Sequence, residues 1–474
     1  MLNQNRAEKV PSGRKSRIGE RLWTNIWSEA VAVLVIGAAF AAFVWRTCPS
    51  QNVPWPLETA VIFMLFFALS MLLLVFERRF DALELLAVAA CICCALYARV
   101  ALLPFESGDY KTFLSQWTNT LASMSFRDAL STPIGNYNLP YIYFLAVISR
   151  FDIDYLLYIK AFSCLFDVVL AYAVLRLVRL GVNDRRFELG AFLVVLLSPT
   201  VMMNGALWAQ CDSVYVAFCV ISALAAIQGR GRLCAISWTV AFCFKLQAVF
   251  MLPALAVALF MGKVKPKHLL WIPAVYIISL LPALFAGRSI ADCVGIYLSQ
   301  TSEHTALFLN APSVWALFGD NSIREMRTMA LFTSFGVILA FSLCALTVKD
   351  KITERGLLTL FFLSSLFVPF MLPKMHDRYF YMAEIFAIVY FMYDRKKWYV
   401  PVAVTLSSLN SYMRYFKIHE YLAETGEVAS AEYLTQQTGF DTVWFAVVYL
   451  VILAVECRGF FKELWSKTEN NYLT

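Results

Sequence analysis

Stretch after stretch of this chain is apolar for longer than a water-soluble core can use. Ala30 to Trp45, Ala60 to Phe76, Glu84 to Leu103, Phe187 to Val201 with its flanks, Met329 to Val348 and Val443 to Val455 are the clearest cases. A helix needs about 20 such residues to cross the hydrocarbon core. The runs are continuous rather than alternating, which excludes a transmembrane β-barrel. Only 15% of the 474 residues are charged, and mean hydropathy is +0.65. Soluble domains carry about 25% charged residues, so much of this surface is built for lipid. The expected fold is all-α, a polytopic integral membrane protein of about 12–14 transmembrane helices.

Hydropathy predicts spans over 27–46, 57–76, 81–104, 155–177, 187–206, 212–228, 233–247, 249–262, 269–286, 328–348, 356–372, 378–393, 398–414 and 441–457. With the N-terminus inside, 26 of the 40 Lys and Arg residues fall on the inner side and 10 on the outer side, as the positive-inside rule demands. The net charge of +7 is then a matter of topology. Membrane lipids are expected partners and nucleic acid is not. The basic stretch from Arg6 to Arg21 lacks a clear small-residue cleavage site after the first span, so that span is read as an uncleaved helix. Most of the 12 cysteines lie in apolar segments and read as small hydrophobes, with Cys48, Cys211 and Cys293 placed at an outer surface. The organisation expected is a cytoplasmic basic tail over 1–26, two N-terminal spans within 27–80, a membrane core over 81–393 and C-terminal spans over 394–474. The long loops 105–154, 287–327 and 415–440 all fall outside, while inner loops are short. Long loops on a rigid scaffold carry function, so chemistry is sought on the outer side.

Five groups of polar residues stand there. Glu106-Ser-Gly108-Asp109-Tyr110 follows the third span. Gly108 would let the backbone bend so that Asp109 projects, either as a base or metal ligand or as the cap of a helix over 111–121. Phe113, Trp117, Leu121 and Met124 recur at helical spacing and predict an interfacial helix in this first outer loop. Asn138-Leu-Pro140, flanked by Tyr137, Tyr141 and Tyr143, reads as an interface loop or a sugar platform. Asn204 to Asp212 carries Trp208, Gln210 and Asp212, the last a water-facing cap or a paired functional carboxylate. Lys245 and Gln247 sit at the outer tip of an apolar hairpin, where a lysine either meets an anion or snorkels. Lys374, His376 and Arg378, with Asp377 and Tyr379, cluster at a helix start suited to a phosphate or to lipid headgroups. His304 is a weaker loop candidate. No Walker, dinucleotide, zinc or nucleophile-elbow motif is present.

Taken in order, these motifs resemble the GT-C membrane glycosyltransferases, especially those that extend the dolichol-linked oligosaccharide, and related bacterial mannosyltransferase-like proteins. Gly108-Asp109-Tyr110 followed by Trp117 is similar to the family's first outer loop. Asn138-Leu-Pro140 stands where the family has Tyr-Pro-Pro, without the acidic residue or first proline. Trp208-Ala209-Gln210-Cys211-Asp212 resembles Trp-Gly-Gln-x-Asp, with Ala209 for glycine. Lys245-Leu-Gln247 resembles Lys-x-Gln, and His376-Asp377-Arg378-Tyr379 the His-Glu-Arg/Lys element, with Asp for Glu. The likeness runs over about 81–393.

The resemblance implies a GT-C-like fold and an inverting transfer of one sugar from a polyprenyl-phosphate donor to a glycan or lipid-linked acceptor. Asp109 would be the general base. His376 and Arg378, with Lys245 and Lys374, would hold the donor phosphate. Tyr110, Trp117, Asn138, Trp208, Gln210, Asp212, Gln247, Asp377 and Tyr379 would line the sugar or acceptor. Tyr110, Trp117 and Trp208 suit stacking on sugar or anchoring at the interface equally. No certain cofactor is implied, and a divalent metal, Mg or Mn, shared by Asp109 and Asp212 stays open. A bacterial plasma membrane with the site facing outside is expected, with the lumenal face of the endoplasmic reticulum as the alternative. Rival readings are a polymerase or ligase using a diphosphate-linked glycan, a lipid-linked sugar transporter or flippase, and a non-catalytic assembly partner.

Overall fold

The computed structural model describes residues 31–302, 306–318 and 326–472; the tail 1–26 and His304 lie outside the described residues. The chain is an all-α polytopic membrane protein. The strands among the described residues are Phe308–Leu309 and Met375–His376, paired in parallel. Eight helices there are long and apolar enough to cross a membrane: Val31–Gln51, Pro56–Phe76, Ala82–Leu102, Tyr155–Arg179, Pro266–Ala286, Thr328–Thr347, Glu354–Met371 and Thr442–Trp465. Arg185–Leu197 and Pro199–Leu207, bent by 46°, make a ninth if counted as one span. The expected fourteen are not reached, because the expected span 398–414 lies in Tyr399–Thr425, which is not among the candidate spans, and Asp212–Ile227, Gly231–Phe244, Leu246–Phe260 and Tyr381–Tyr393 are apolar but only 10–17 residues long. At 1.5 Å per residue such helices fall short of a core about 30 Å thick.

The chain divides into two units, Met1–Tyr97 and Ala98–Thr474. In the first, aromatic contacts join the helices: Phe40 lies 6.0 Å from Phe67 and Phe43 lies 5.0 Å from Tyr97 between ring centroids. Gln51 Nε2 donates to Tyr97 Oη at 2.8 Å.

In the second unit, Tyr155–Arg179 packs against Arg185–Leu197 and Asp212–Ile227, and the latter against Gly231–Phe244. Asp154 and Asp184 cap the first two of these helices through Leu157 N and Arg186 N. Charges inside apolar helices are tolerated only when partnered, and two of them position the loop that follows Ala82–Leu102. Arg99 Nε meets Asp167 Oδ2 at 2.9 Å with both side chains fully buried, and Arg99 Nη1 donates to Leu196 O. Lys160 Nζ donates to the carbonyls of Leu102, Leu103 and Phe105 at 3.1, 2.9 and 2.6 Å. A cation there gathers the carbonyls at and just past the end of Ala82–Leu102, and so fixes how the chain leaves that helix. Four residues later stands Asp109.

Two expectations need correction. Residues 415–440 are not one outer loop, because Tyr399–Thr425 is a single 27-residue helix. Arg414 looked like a span end but is buried inside it, with Nε on Asn310 Oδ1 at 3.0 Å and Nη1 on Phe440 O at 3.2 Å. Cys48, Cys211 and Cys293 are buried rather than at a surface, as befits small hydrophobes.

Candidate functional site

Asp109 sits at the start of a π-helical turn, Tyr110–Leu114, and its side chain caps no backbone N–H. Its carboxylate instead collects donors from distant segments. Oδ2 accepts from Trp208 Nε1 at 3.0 Å and from Gln210 Nε2 at 2.7 Å. Oδ1 accepts from Tyr415 Oη at 2.8 Å, and that hydroxyl in turn accepts from the Asp109 backbone N–H at 3.1 Å. Arg378 Nη1 stands 3.5 Å from Oδ2. The Asp109 side chain keeps 18% of its surface exposed, so the carboxylate is gripped from the protein side and open on one edge.

Gly108 makes this approach possible by its size rather than by a bend. A Cβ there would stand 2.4 Å from His419 Nδ1, on the helix that carries Tyr415. The left-handed position is Ala209, with φ of 67°. It ends a second π-helical turn, Met203–Leu207, whose partners Trp208 N→Met203 O and Gln210 N→Asn204 O fold Trp208 and Gln210 back towards Asp109. Isolated π-turns of this kind often mark functional sites. Ser107 Oγ fastens the two loops by donating to Trp208 O at 2.7 Å.

Asp212 is buried and is not a water-facing cap. Lys245 Nζ meets its Oδ1 at 2.6 Å, and Asn204 Nδ2 donates to Oδ2 at 2.8 Å. Arg378 Nε lies 4.0 Å from the same Oδ2. Lys245 occupies an extended break (φ −146°, ψ 136°) between Gly231–Phe244 and the 3-10 turn Leu246–Met251, which turns its side chain out of helical register. Its Nζ also stands 5.6 Å from the Tyr137 ring centroid, whose hydroxyl donates to Gln210 Oε1 at 2.8 Å. Burial alone would weaken the charge on Arg378, but Asp109, Tyr137, Asp212 and Asp377 outweigh it and hold the guanidinium well above its ordinary pKa.

Asp109, Trp208, Gln210, Asp212, Lys245 and Arg378 thus form one connected group from four separated motifs. The other candidates sit around it. His376, on the short strand pair, has Nδ1 3.7 Å from Asp377 Oδ1 and its ring 5.5 Å from Tyr379. Lys374, with φ of 63°, anchors that strand through its N–H to Leu307 O. Gln247 lies in the 3-10 turn Leu246–Met251 that follows Lys245. Tyr110 packs into an apolar cluster, and burial pushes its phenol up to about 12. Trp117 is half-buried, 5.7 Å from the Tyr137 ring, and Asn138 Nδ2 donates to Phe242 O at 3.3 Å. Phe113 is exposed, whereas Leu114, Thr118 and Leu121 form the covered side of their turn. Trp208 is no open stacking surface: it is fully buried, stacked on Tyr415 at 3.9 Å and edge-on to Tyr412 at 5.0 Å.

Tyr415 and Tyr412 escaped the sequence reading. Tyr412 Oη accepts from Asn204 Nδ2 at 3.1 Å, so both tyrosines support the carboxylates from one helix. The available signal was their spacing with His419, which puts all three on one face. As for metal, among the described residues no three His, Cys, Asp or Glu side chains gather into a binding group. The cation between Asp109 and Asp212 is the Arg378 guanidinium, and a divalent ion shared by both would have to displace it. No protein-family model and no curated protein matches the chain.

Proposed function

We propose that this protein is a GT-C-like inverting glycosyltransferase that moves one sugar from a polyprenyl-phosphate donor to a glycan or lipid-linked acceptor at the extracytoplasmic face of its membrane. The reading rests above all on one observation: a carboxylate with an open edge lies 3.5 Å from a guanidinium that also faces a second, lysine-paired carboxylate. A carboxylate has about four acceptor directions. Tyr415, Trp208 and Gln210 use three on Asp109 and leave one for an acceptor hydroxyl. In the reaction, Asp109 takes the hydroxyl proton and the oxygen attacks the anomeric carbon. The bond from that carbon to the carrier phosphate breaks on the opposite face, with inversion. The phosphate departs with added negative charge, and cations already in place lower that barrier. Arg378 Nε is buried without a hydrogen-bond partner and Lys245 has donors to spare, so both have capacity for a phosphate oxygen. His376 and Lys374 are assigned to the same phosphate by resemblance.

The test is sugar transfer by purified protein in detergent with a panel of polyprenyl-monophosphate sugars. Asp109→Asn should lose about 100-fold or more in rate while staying folded. Transfer that survives the substitution removes Asp109 as base. Turnover of diphosphate-linked glycans alone would instead indicate a polymerase or ligase. The break at Lys245 gives a flippase reading its one support, since transporters build substrate and ion sites at interrupted helices; translocation of the donor without transfer would favour it.

A further inference from the structure

Away from the Asp109 group, a cavity of about 360 Å³ opens beside the connection into Gly231–Phe244, lined by Arg230, Arg232, Leu233, Ile236 and His268 with the backbone of Gly229 and Gly231. Its size falls among those of ligand sites, about 300–1,000 Å³. Three observations bear on its occupant. The first is charge. No Asp or Glu occurs between Asp212 and Asp292, a stretch that holds Arg230, Arg232, Lys263, Lys265 and Lys267. Asp212 is taken by Lys245, and Lys263 spends its charge on Glu354 at 2.9 Å. The arginines at the cavity therefore face it with no acid from their own stretch.

The second is preorganisation. The Arg232 guanidinium lies 4.3 Å from the Trp271 ring, which holds the group by a cation–π contact. His268 Nδ1 accepts from Lys265 N–H at 3.3 Å, so in the neutral ring the proton sits on Nε2 as a donor. The third is the neighbouring surface. Pro266–Ala286, which carries His268 and Trp271, is a candidate span with only 11% of its apolar window buried. Leu233 and Leu270 are exposed at 42% and 72%. Donors for an anion thus adjoin an exposed apolar surface, the combination that a membrane interface matches.

We infer that this cavity binds the phosphate headgroup of an anionic phospholipid, with Arg230, Arg232 and His268 on the phosphate and the acyl chains along Leu233 and the Pro266–Ala286 helix. The inference is independent of the glycosyltransferase reading.

Native mass spectrometry of the full chain tests it, with phosphatidylglycerol, phosphatidylcholine and inorganic phosphate as probes. The wild type should retain one phosphatidylglycerol in preference to phosphatidylcholine. Arg230→Gln/Arg232→Gln should hold it about 30-fold more weakly, as expected for two basic groups at headgroup distance. Lys349→Gln, at a basic site elsewhere that pairs with Asp350, should stay within about twofold. Were the double variant not to fold, Trp271→Leu removes only the ring beneath Arg232 and should weaken retention about fivefold. Equal retention of phosphatidylcholine, or phosphatidylglycerol binding unchanged in these variants, overturns the inference. So does inorganic phosphate that displaces the lipid at equal concentration, which would leave an anion site without lipid selectivity.

Discussion

Replacing either partner of the Lys245–Asp212 pair should destabilise the protein, but unequally, and the order follows from the geometry. At an effective dielectric of about 20, charges 2.6 Å apart attract by about 6 kcal/mol and charges 4.0 Å apart by about 4 kcal/mol, before desolvation is subtracted. Lys245→Met removes the first attraction. Asp212 then keeps Arg378 at 4.0 Å and the Asn204 amide at 2.8 Å, so the net loss should be about 2 kcal/mol, below the usual 3–5 for breaking a buried pair. Asp212→Asn removes both attractions and leaves two buried cations, of which Arg378 keeps Asp109 at 3.5 Å while Lys245 loses its carboxylate. Its loss should reach about 4 kcal/mol. Lys245→Met/Asp212→Leu leaves no unpaired charge at this pair, and should be less destabilised than Asp212→Asn alone. Denaturant titration in detergent micelles, followed by tryptophan fluorescence, reads the three midpoints. A double variant that loses as much as Asp212→Asn or more, or a Lys245→Met loss larger than that of Asp212→Asn, would refute the reasoning.

Other consequences concern the groups that hold Asp109. Tyr415→Phe keeps the stack on Trp208 but deletes a hydrogen bond to a charged oxygen, about 1.5–3 kcal/mol; under the proposed function, transfer should fall between about 10- and 100-fold, with kcat more affected than KM. Ala209→Gly should shift stability by less than about 1 kcal/mol, because relief at a φ of 67° is offset by added chain entropy, whereas Ala209→Val should lose more than about 2 kcal/mol at the same denaturation midpoint. Gly108→Ala drives a methyl into the His419 ring and should cost transfer activity, with partial recovery in Gly108→Ala/His419→Ala; no recovery would mean the backbone, not the ring, sets the limit.

The membrane class was legible from the sequence because apolar length and charge deficit are local properties, and no packing is needed to read them. The polar motifs around Asp109, Trp208, Asp212, Lys245 and Arg378 were legible as well, since a charged group in an apolar setting stands out wherever the chain goes. The number of spans was not. Asp212–Ile227 and Gly231–Phe244 are as apolar as the candidate spans, and only the fold shows that their helices are 16 and 14 residues long. Nor could the chain alone tell a cap from a gripped carboxylate at Asp109, or a bend from a close approach at Gly108. Those distinctions depend on Tyr415 and His419, more than 300 residues away, arriving on one face of a helix that hydropathy ended at 414. Arg414 looks like a boundary in sequence because its charge is visible there, while the carbonyl and amide oxygens that accept its protons come from distant residues. Hydropathy adds up residue by residue, but the satisfaction of a buried polar group is a property of pairs, and which pairs meet is decided by tertiary structure.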